Sequence, residues 1–186
     1  MSINEIQTTT NTRMQKSIEA LQHAFNKIRT GRAHPSILEA VMVDYYGNPT
    51  PINQVANVGI EDNRTLSVTP WEAKMVPEVE KAIMSSDLGL NPSTIGNLIR
   101  VPMPMLTEET RKAYGKQARA EAETAKVSVR NIRRDANTQL KNAVKDKIIN
   151  EDEEKRAQDN IQKLTDRFTK DIDELLKKKE QDLLEI

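Results

Sequence analysis

Apolar residues recur at Met14, Ile18, Leu21, Phe25 and Ile28, alternating steps of four and three as one face of a packed helix requires. The pattern stops at Thr30-Gly31, where glycine can take the left-handed backbone that closes a helix. A first helix is therefore predicted from near the start to about Arg29. A second is signalled by Thr107 as cap, with Glu108 and Glu109 in the first turn complementing the positive end of the helix dipole. Its seam is Ala118, Ala122, Ala125, Val129, Ile132, Ala136, Leu140 and Ala143, where the small alanines allow close helix approach. A third begins near Asn150, which forms a cap pair with Glu153, and carries its seam on Ile161, Leu164, Phe168, Ile172 and Leu175. Their short connection and matched length predict an antiparallel hairpin for the last two, and the first helix completes a three-helix bundle.

Between these helices the periodicity changes. Ile37 to Tyr46 reads as a strand, Gly47 to Pro51 as a turn, and Val55–Ile60 with Thr65–Thr69 as a hairpin around Asp62-Asn63. Ala73 to Ser85 reads as a short helix and Leu98 to Val101 as a returning strand. The predicted class is α+β: residues 1–30 and 106–186 form the bundle, and residues 31–105 an inserted small domain. An insertion needs two crossings of the chain. Thr30 and Gly31 mark the outgoing one, and Pro102, Met103, Pro104 and Met105 the returning one. Glycine supplies adjustable backbone angles, while Pro-x-Pro favours an extended path, so both read as hinges that swing about one axis.

Charge sharpens the picture of the second helix. The chain balances 28 basic against 28 acidic residues, yet Arg111 to Lys147 holds eleven Lys or Arg against four Asp or Glu. At roughly 100° per residue, Lys112, Lys116, Arg119, Lys126, Arg130, Arg133, Arg134, Lys141 and Lys145 share an arc of about 120°, interrupted by Glu123 alone. A solvated face is the bland alternative. The one-sidedness instead suits a polyphosphate partner, met by guanidinium forks that position the protein without reading sequence. Arg29 and Arg32 flank the first crossing; the helix dipole explains Arg29 better than Arg32, and RNA contact accounts for both. From Ile148 onward twelve acids face eight bases, a composition that suits solvent or a protein partner rather than RNA.

Other chemistry finds little support. The chain has no cysteine and two histidines, His23 and His34, so neither disulfides nor a metal site is expected. No phosphate loop, serine elbow or His-Glu-x-x-His helix occurs, and Glu151-Asp152-Glu153-Glu154 lies where acids stabilise a helix start. Tyr45 and Tyr46 adjoin on a strand, one facing in and one out; Trp71 reads as a core or interface residue. With no apolar run near the ~20 residues that span a bilayer, a soluble cytoplasmic protein is expected.

Several blocks together resemble the ribosome recycling factor family. They are Arg130 to Asn137, Lys27 to Ala33 with Pro35, Tyr45-Tyr46-Gly47, Lys81-Ala82-Ile83 to Asp87-Leu88-Gly89-Leu90-Asn91-Pro92, and Ile99-Arg100-Val101-Pro102. The resemblance spans nearly the whole chain, in order. It implies an L-shaped two-domain translation factor that enters the post-termination ribosome and works with elongation factor G and GTP to split the subunits, releasing mRNA and tRNA. It would be a wedge rather than an enzyme, with no cofactor of its own, because the GTP belongs to its partner. The matching octet and hinge blocks imply Arg133 first on large-subunit ribosomal RNA, then Arg130, Arg134 and Lys126, with Arg29 and Arg32 near the elbow. Arg119, Lys141 and Lys145 are added by charge geometry alone. A monomer is expected, since each seam has partners within the chain, and Met1 directly before the first helix favours a bacterial over an organellar factor. The rival is a helical scaffold that pairs with other proteins by coiled-coil contacts, which leaves the basic arc and the inserted domain without a use.

Overall fold

The computed structural model describes residues 1–184. In chain order it contains α1 (Ile3–Asn26), the strands β1 (Met42–Tyr45) and β2 (Asn48–Pro51), then β3 (Ala56–Asp62) and β4 (Thr65–Pro70). These are followed by α2 (Val76–Met84), β5 (Ser93–Ile95), β6 (Leu98–Pro102), α3 (Glu108–Lys145) and α4 (Glu151–Leu184). The described residues divide into two compact units, Met1–Arg29 with residues 108–184, and Thr30–Thr107. Among the described residues no helix is long and apolar enough to cross a membrane.

The helical unit is built on the three seams. Ser2 caps α1 by accepting the Glu5 N–H at 3.1 Å, and α1 buries Ile6, Thr10, Met14, Ile18, Leu21 and Phe25. Buried Thr10 satisfies its hydroxyl by donating to the Ile6 carbonyl at 2.6 Å. The helix closes at Asn26, before Arg29, because Lys27 and Ile28 bond back only three residues, to Ala24 and Phe25. Gly31 takes the left-handed conformation, with φ 77°, just beyond this end.

Every alanine and branched residue read as the α3 seam is buried, and Gly115 extends it by a turn. At 38 residues α3 is roughly 57 Å long. It ends in a Schellman arrangement: Ile148 donates to the Ala143 carbonyl and Lys147 to that of Val144, with Lys147 at φ 61°. Asn150 and Glu153 then form the reciprocal cap, the Asn150 side chain accepting from the Glu153 N–H at 2.8 Å and Glu153 from the Asn150 N–H at 3.3 Å. In α4, Ile161, Phe168 and Ile172 are buried. Thr165 is buried too, with its hydroxyl donated to Ile161, while Leu164 and Leu175 sit half-buried at the seam's edge.

Side-chain contacts give the helix directions. Arg13 meets Asp135 and Ser17 meets Ser128, so α1 and α3 are antiparallel. Arg133 meets Gln162 and Arg119 meets Glu180, so α3 and α4 are antiparallel as well. Arg167 meets Asn11 and Lys179 meets Ile28, which makes α1 and α4 parallel.

The second unit holds a two-stranded sheet, β1–β2, and a four-stranded antiparallel sheet in the order β3-β4-β6-β5. Leu38, Val43, Leu66, Val68, Val79, Ile83, Ile99 and Val101 form the centre of its core. Here the sequence reading needs three corrections. Of the strand predicted over Ile37–Tyr46 only Met42–Tyr45 forms; Ile37 and Leu38 belong instead to a 3-10 turn, Pro35–Leu38, since Pro35 suits a first turn and His34 accepts the Ser36 N–H at 3.1 Å. The segment Asn48–Pro51, read as a turn, is β2; the reversal is made by Tyr46 and Gly47 at φ 50° and 86°. Pro49 and Pro51 are tolerated because a two-stranded sheet has nothing but edges. Strand β5, preceding Gly96 at φ 61°, was not foreseen.

Trp71 is 65% exposed rather than in the core. Tyr45 is half-buried and Tyr46 exposed, and both hydroxyls donate to Glu72, at 3.3 and 3.0 Å.

Candidate nucleic-acid interface

Because α3 is regular throughout, its basic residues stand along one edge beside the buried seam. Partners then divide that edge in two. From Arg119 to Arg130 three bases are neutralised, Arg119 lying 3.6 Å from Glu180, Lys126 2.6 Å from Asp173 and Arg130 2.9 Å from Glu123, while Lys116 before them is exposed and enters no ion pair among the described residues. Toward the second half, Arg133, Arg134, Lys141 and Lys145 enter no ion pair among the described residues. Arg134, Lys141 and Lys145 are exposed.

Arg133 is the exception in burial. Its guanidinium is half-buried, with Nη1 donating to the Gln162 side chain at 3.1 Å, and Gln162 in turn donates to Asp166 at 2.9 Å. The Arg133 Nε is buried and finds no partner among the described residues. Such an atom carries a desolvation cost. The arrangement orients the fork before any ligand binds, which lowers the entropy lost on contact.

The exposed pairs of Arg119 and Arg130 are weak, about 0.5 kcal/mol each, and a phosphate oxygen can take the carboxylate's place. The α4 carboxylates on this edge are what the reading of α3 alone missed. Reflecting the hairpin about its connection would have set Asp173 and Glu180 near Lys126 and Arg119.

Arg29 is exposed and follows Ile28, whose carbonyl accepts the Lys179 ammonium at 2.9 Å. Desolvation by its surroundings lowers the Lys179 pKa. Arg29 thus stands at the Arg119 end of the helical unit, not beside Lys141. Arg32 is exposed and belongs to the other unit, with its N–H 3.4 Å from the Thr30 hydroxyl.

Of the residues at the crossings, Thr30 and Gly31 are half-buried outside regular structure. Pro102 ends β6 opposite Thr65, and Met103 is buried, with its N–H donated to the Arg64 carbonyl at 2.7 Å. Pro104 and Met105 are exposed, Met105 at 67%. Among the described residues no three His, Asp or Glu side chains gather as a metal would need.

Residues 21–184 match the family model for ribosome recycling factor. The ribosome-recycling factors of Saccharophagus degradans and Hahella chejuensis are each 62% identical over 184 residues, covering 99% of this chain and all of theirs. A solution structure of a ribosome recycling factor superposes with a TM-score of 0.74 at 34% identity, covering 100% of this chain and 99% of that one. A second structure gives a TM-score of 0.66 at 46% identity, covering 99% of this chain and all of the other. It is described as models for the T. thermophilus ribosome recycling factor and the E. coli elongation factor G bound to the E. coli post-termination complex. With the family model matched over residues 21–184 and relatives 62% identical across 99% of its length, this chain belongs to the ribosome recycling factor family.

Proposed function

We propose that this chain binds the post-termination ribosome and, with elongation factor G and GTP, promotes its dissociation into subunits, freeing mRNA and tRNA for another round. The observation that carries this reading is the 62% identity to ribosome-recycling factors over 99% of the chain. A relative described on the post-termination complex together with elongation factor G supports the choice of partners.

In this reading the helical unit docks on large-subunit ribosomal RNA. Arg133 leads, because its fork is held by Gln162. Arg134 and Lys141 add charge that no carboxylate among the described residues pairs with, and Arg130, Lys126 and Arg119 exchange Glu123, Asp173 and Glu180 for phosphates. Arg29 and Arg32 contact RNA near the crossings. The sheet unit is the lever that the partner pushes, with rotation absorbed around Thr30, Gly31 and the Pro102 to Met105 segment.

The chain supplies position rather than chemistry. It needs no cofactor, works as a monomer in the cytoplasm where ribosomes recycle, and leaves GTP hydrolysis to elongation factor G.

Co-sedimentation with ribosomes at increasing salt tests the docking face. Binding through several phosphates should weaken steeply with ionic strength. Affinity insensitive to salt would point to apolar helix pairing and against this reading.

A further inference from the structure

We infer that the β3–β4 turn, Asp62 to Thr65, is the positioning element that clamps both chain crossings at one point, with Asp62 as the residue that holds the turn in shape. Its consequence for subunit splitting rests on the lever role proposed above; the clamp itself does not.

Ala33, on the outgoing crossing, donates its N–H to the Asn63 carbonyl at 2.8 Å, and Met103, on the returning one, donates to the Arg64 carbonyl at 2.7 Å. Two segments from opposite ends of the sheet unit's sequence are thereby tied to consecutive carbonyls of one turn. Ala33 and Met103 are both buried, so water competes poorly for these bonds. An ordinary hairpin end does not need its carbonyls used in this way.

The turn has its own internal brace. Asp62 accepts the Arg64 N–H at 2.9 Å, the geometry of an Asx turn, where the β3–β4 register shifts between Ile60 and Asp62. That bond is the main reason the Asp62 carboxyl lies below its ordinary pKa. Buried Thr65 follows and pairs with Pro102, which locks the turn to β6.

Clamped at neighbouring points, the two crossings move as a pair. Rotation must then be absorbed between Arg29 and Ala33 on one side and between Met103 and Glu108 on the other. The clamp thus narrows the returning hinge proposed above from Pro102–Met105 to its outer part: Pro102 and Met103, tied to Thr65 and Arg64, fall on the fixed side of the pivot, and rotation is left to residues 30–32 and 104–107.

Amide hydrogen exchange of the full free chain, followed by NMR, tests the clamp. The Ala33 and Met103 amides should both exchange slowly. In Asp62→Ala both should speed up together, at least tenfold, while the β4–β6 ladder stays protected. Asp62→Asn, which keeps an acceptor oxygen, should retain most of the protection, and Asp62→Ser should fall between, so that the series stays informative if the alanine variant folds poorly. Fast exchange at either amide in the unmodified chain, or acceleration of one without the other across the series, would overturn the clamp. In ribosome splitting with elongation factor G and GTP, Asp62→Ala should slow the rate several-fold at unchanged ribosome affinity. Parallel loss of protection with an unaltered splitting rate would uphold the clamp and overturn its part in the lever, so the two readings fail separately.

Discussion

Arg133 differs from its neighbours on α3 in being half-buried and already oriented by Gln162. Replacing it by Ala should lower ribosome affinity about tenfold, roughly 1.4 kcal/mol, and reduce the salt dependence of binding by about one counterion. Helical circular dichroism should not change. Arg133→Lys should restore little, because an ammonium cannot reproduce the planar fork; full binding by either variant in a filter or sedimentation assay would count against the docking face. Asp62 gives a pH signature with a definite sign. Its folded pKa is depressed, so what it contributes is present above the ordinary carboxylate range and is lost as pH falls through the folded value. Protection of the Ala33 and Met103 amides, corrected for intrinsic exchange, should therefore hold from neutral pH down to that range and fail below it. The candidate docking residues were legible one by one, because charge periodicity on a helix needs nothing but the sequence. The burial of Arg133 was not, since it depends on how α4 lies beside α3. For Trp71 the sequence left a core and an interface place open, and its exposure removes the core place, because the core of the sheet unit is filled by smaller branched residues.

At the scale of elements, the long helices were readable because each seam persists over many turns, even where, as at Asn26, the terminus falls short of the predicted one. The Asn150–Glu153 cap is a case where two residues fix a boundary. Asn150→Ala should destabilise the helical unit by about 1 kcal/mol. In thermal melts at 222 nm that corresponds to a fall of about 2–4 °C in Tm, and an unchanged transition would mean that the tip is held by the Schellman turn instead. Phe168, 1% exposed, fills the centre of the α4 seam, and Phe168→Ala should cost about 3–5 kcal/mol. The sheet unit was less legible. Its strands are three to seven residues long, and their pairing is settled by tertiary partners: His34 capping a 3-10 turn, or Tyr46 taking a left-handed backbone next to Gly47 while Glu72 accepts its hydroxyl. Prolines at 49 and 51 argue for a turn unless the strand is known to lie on an edge.

At the scale of the molecule, the seams of all three long helices are buried within the helical unit itself, which removes the reason to seek coiled-coil partners. What stays exposed is a graded basic edge, neutralised toward Arg119 and open toward Lys141. That gradient predicts that substitutions at Arg134 or Lys141 weaken ribosome binding more than the same change at Arg119, whose charge is shared with Glu180. Equal losses at the three positions, measured at one ionic strength, would contradict it. The central claim is that this chain helps to split ribosomes, and sedimentation of purified post-termination complexes tests it most directly. The chain, elongation factor G and GTP are supplied together and then with each omitted in turn. Free subunits should appear only when all three are present. Intact ribosomes in every mixture, with no co-sedimentation of the chain even at low salt, would contradict the account.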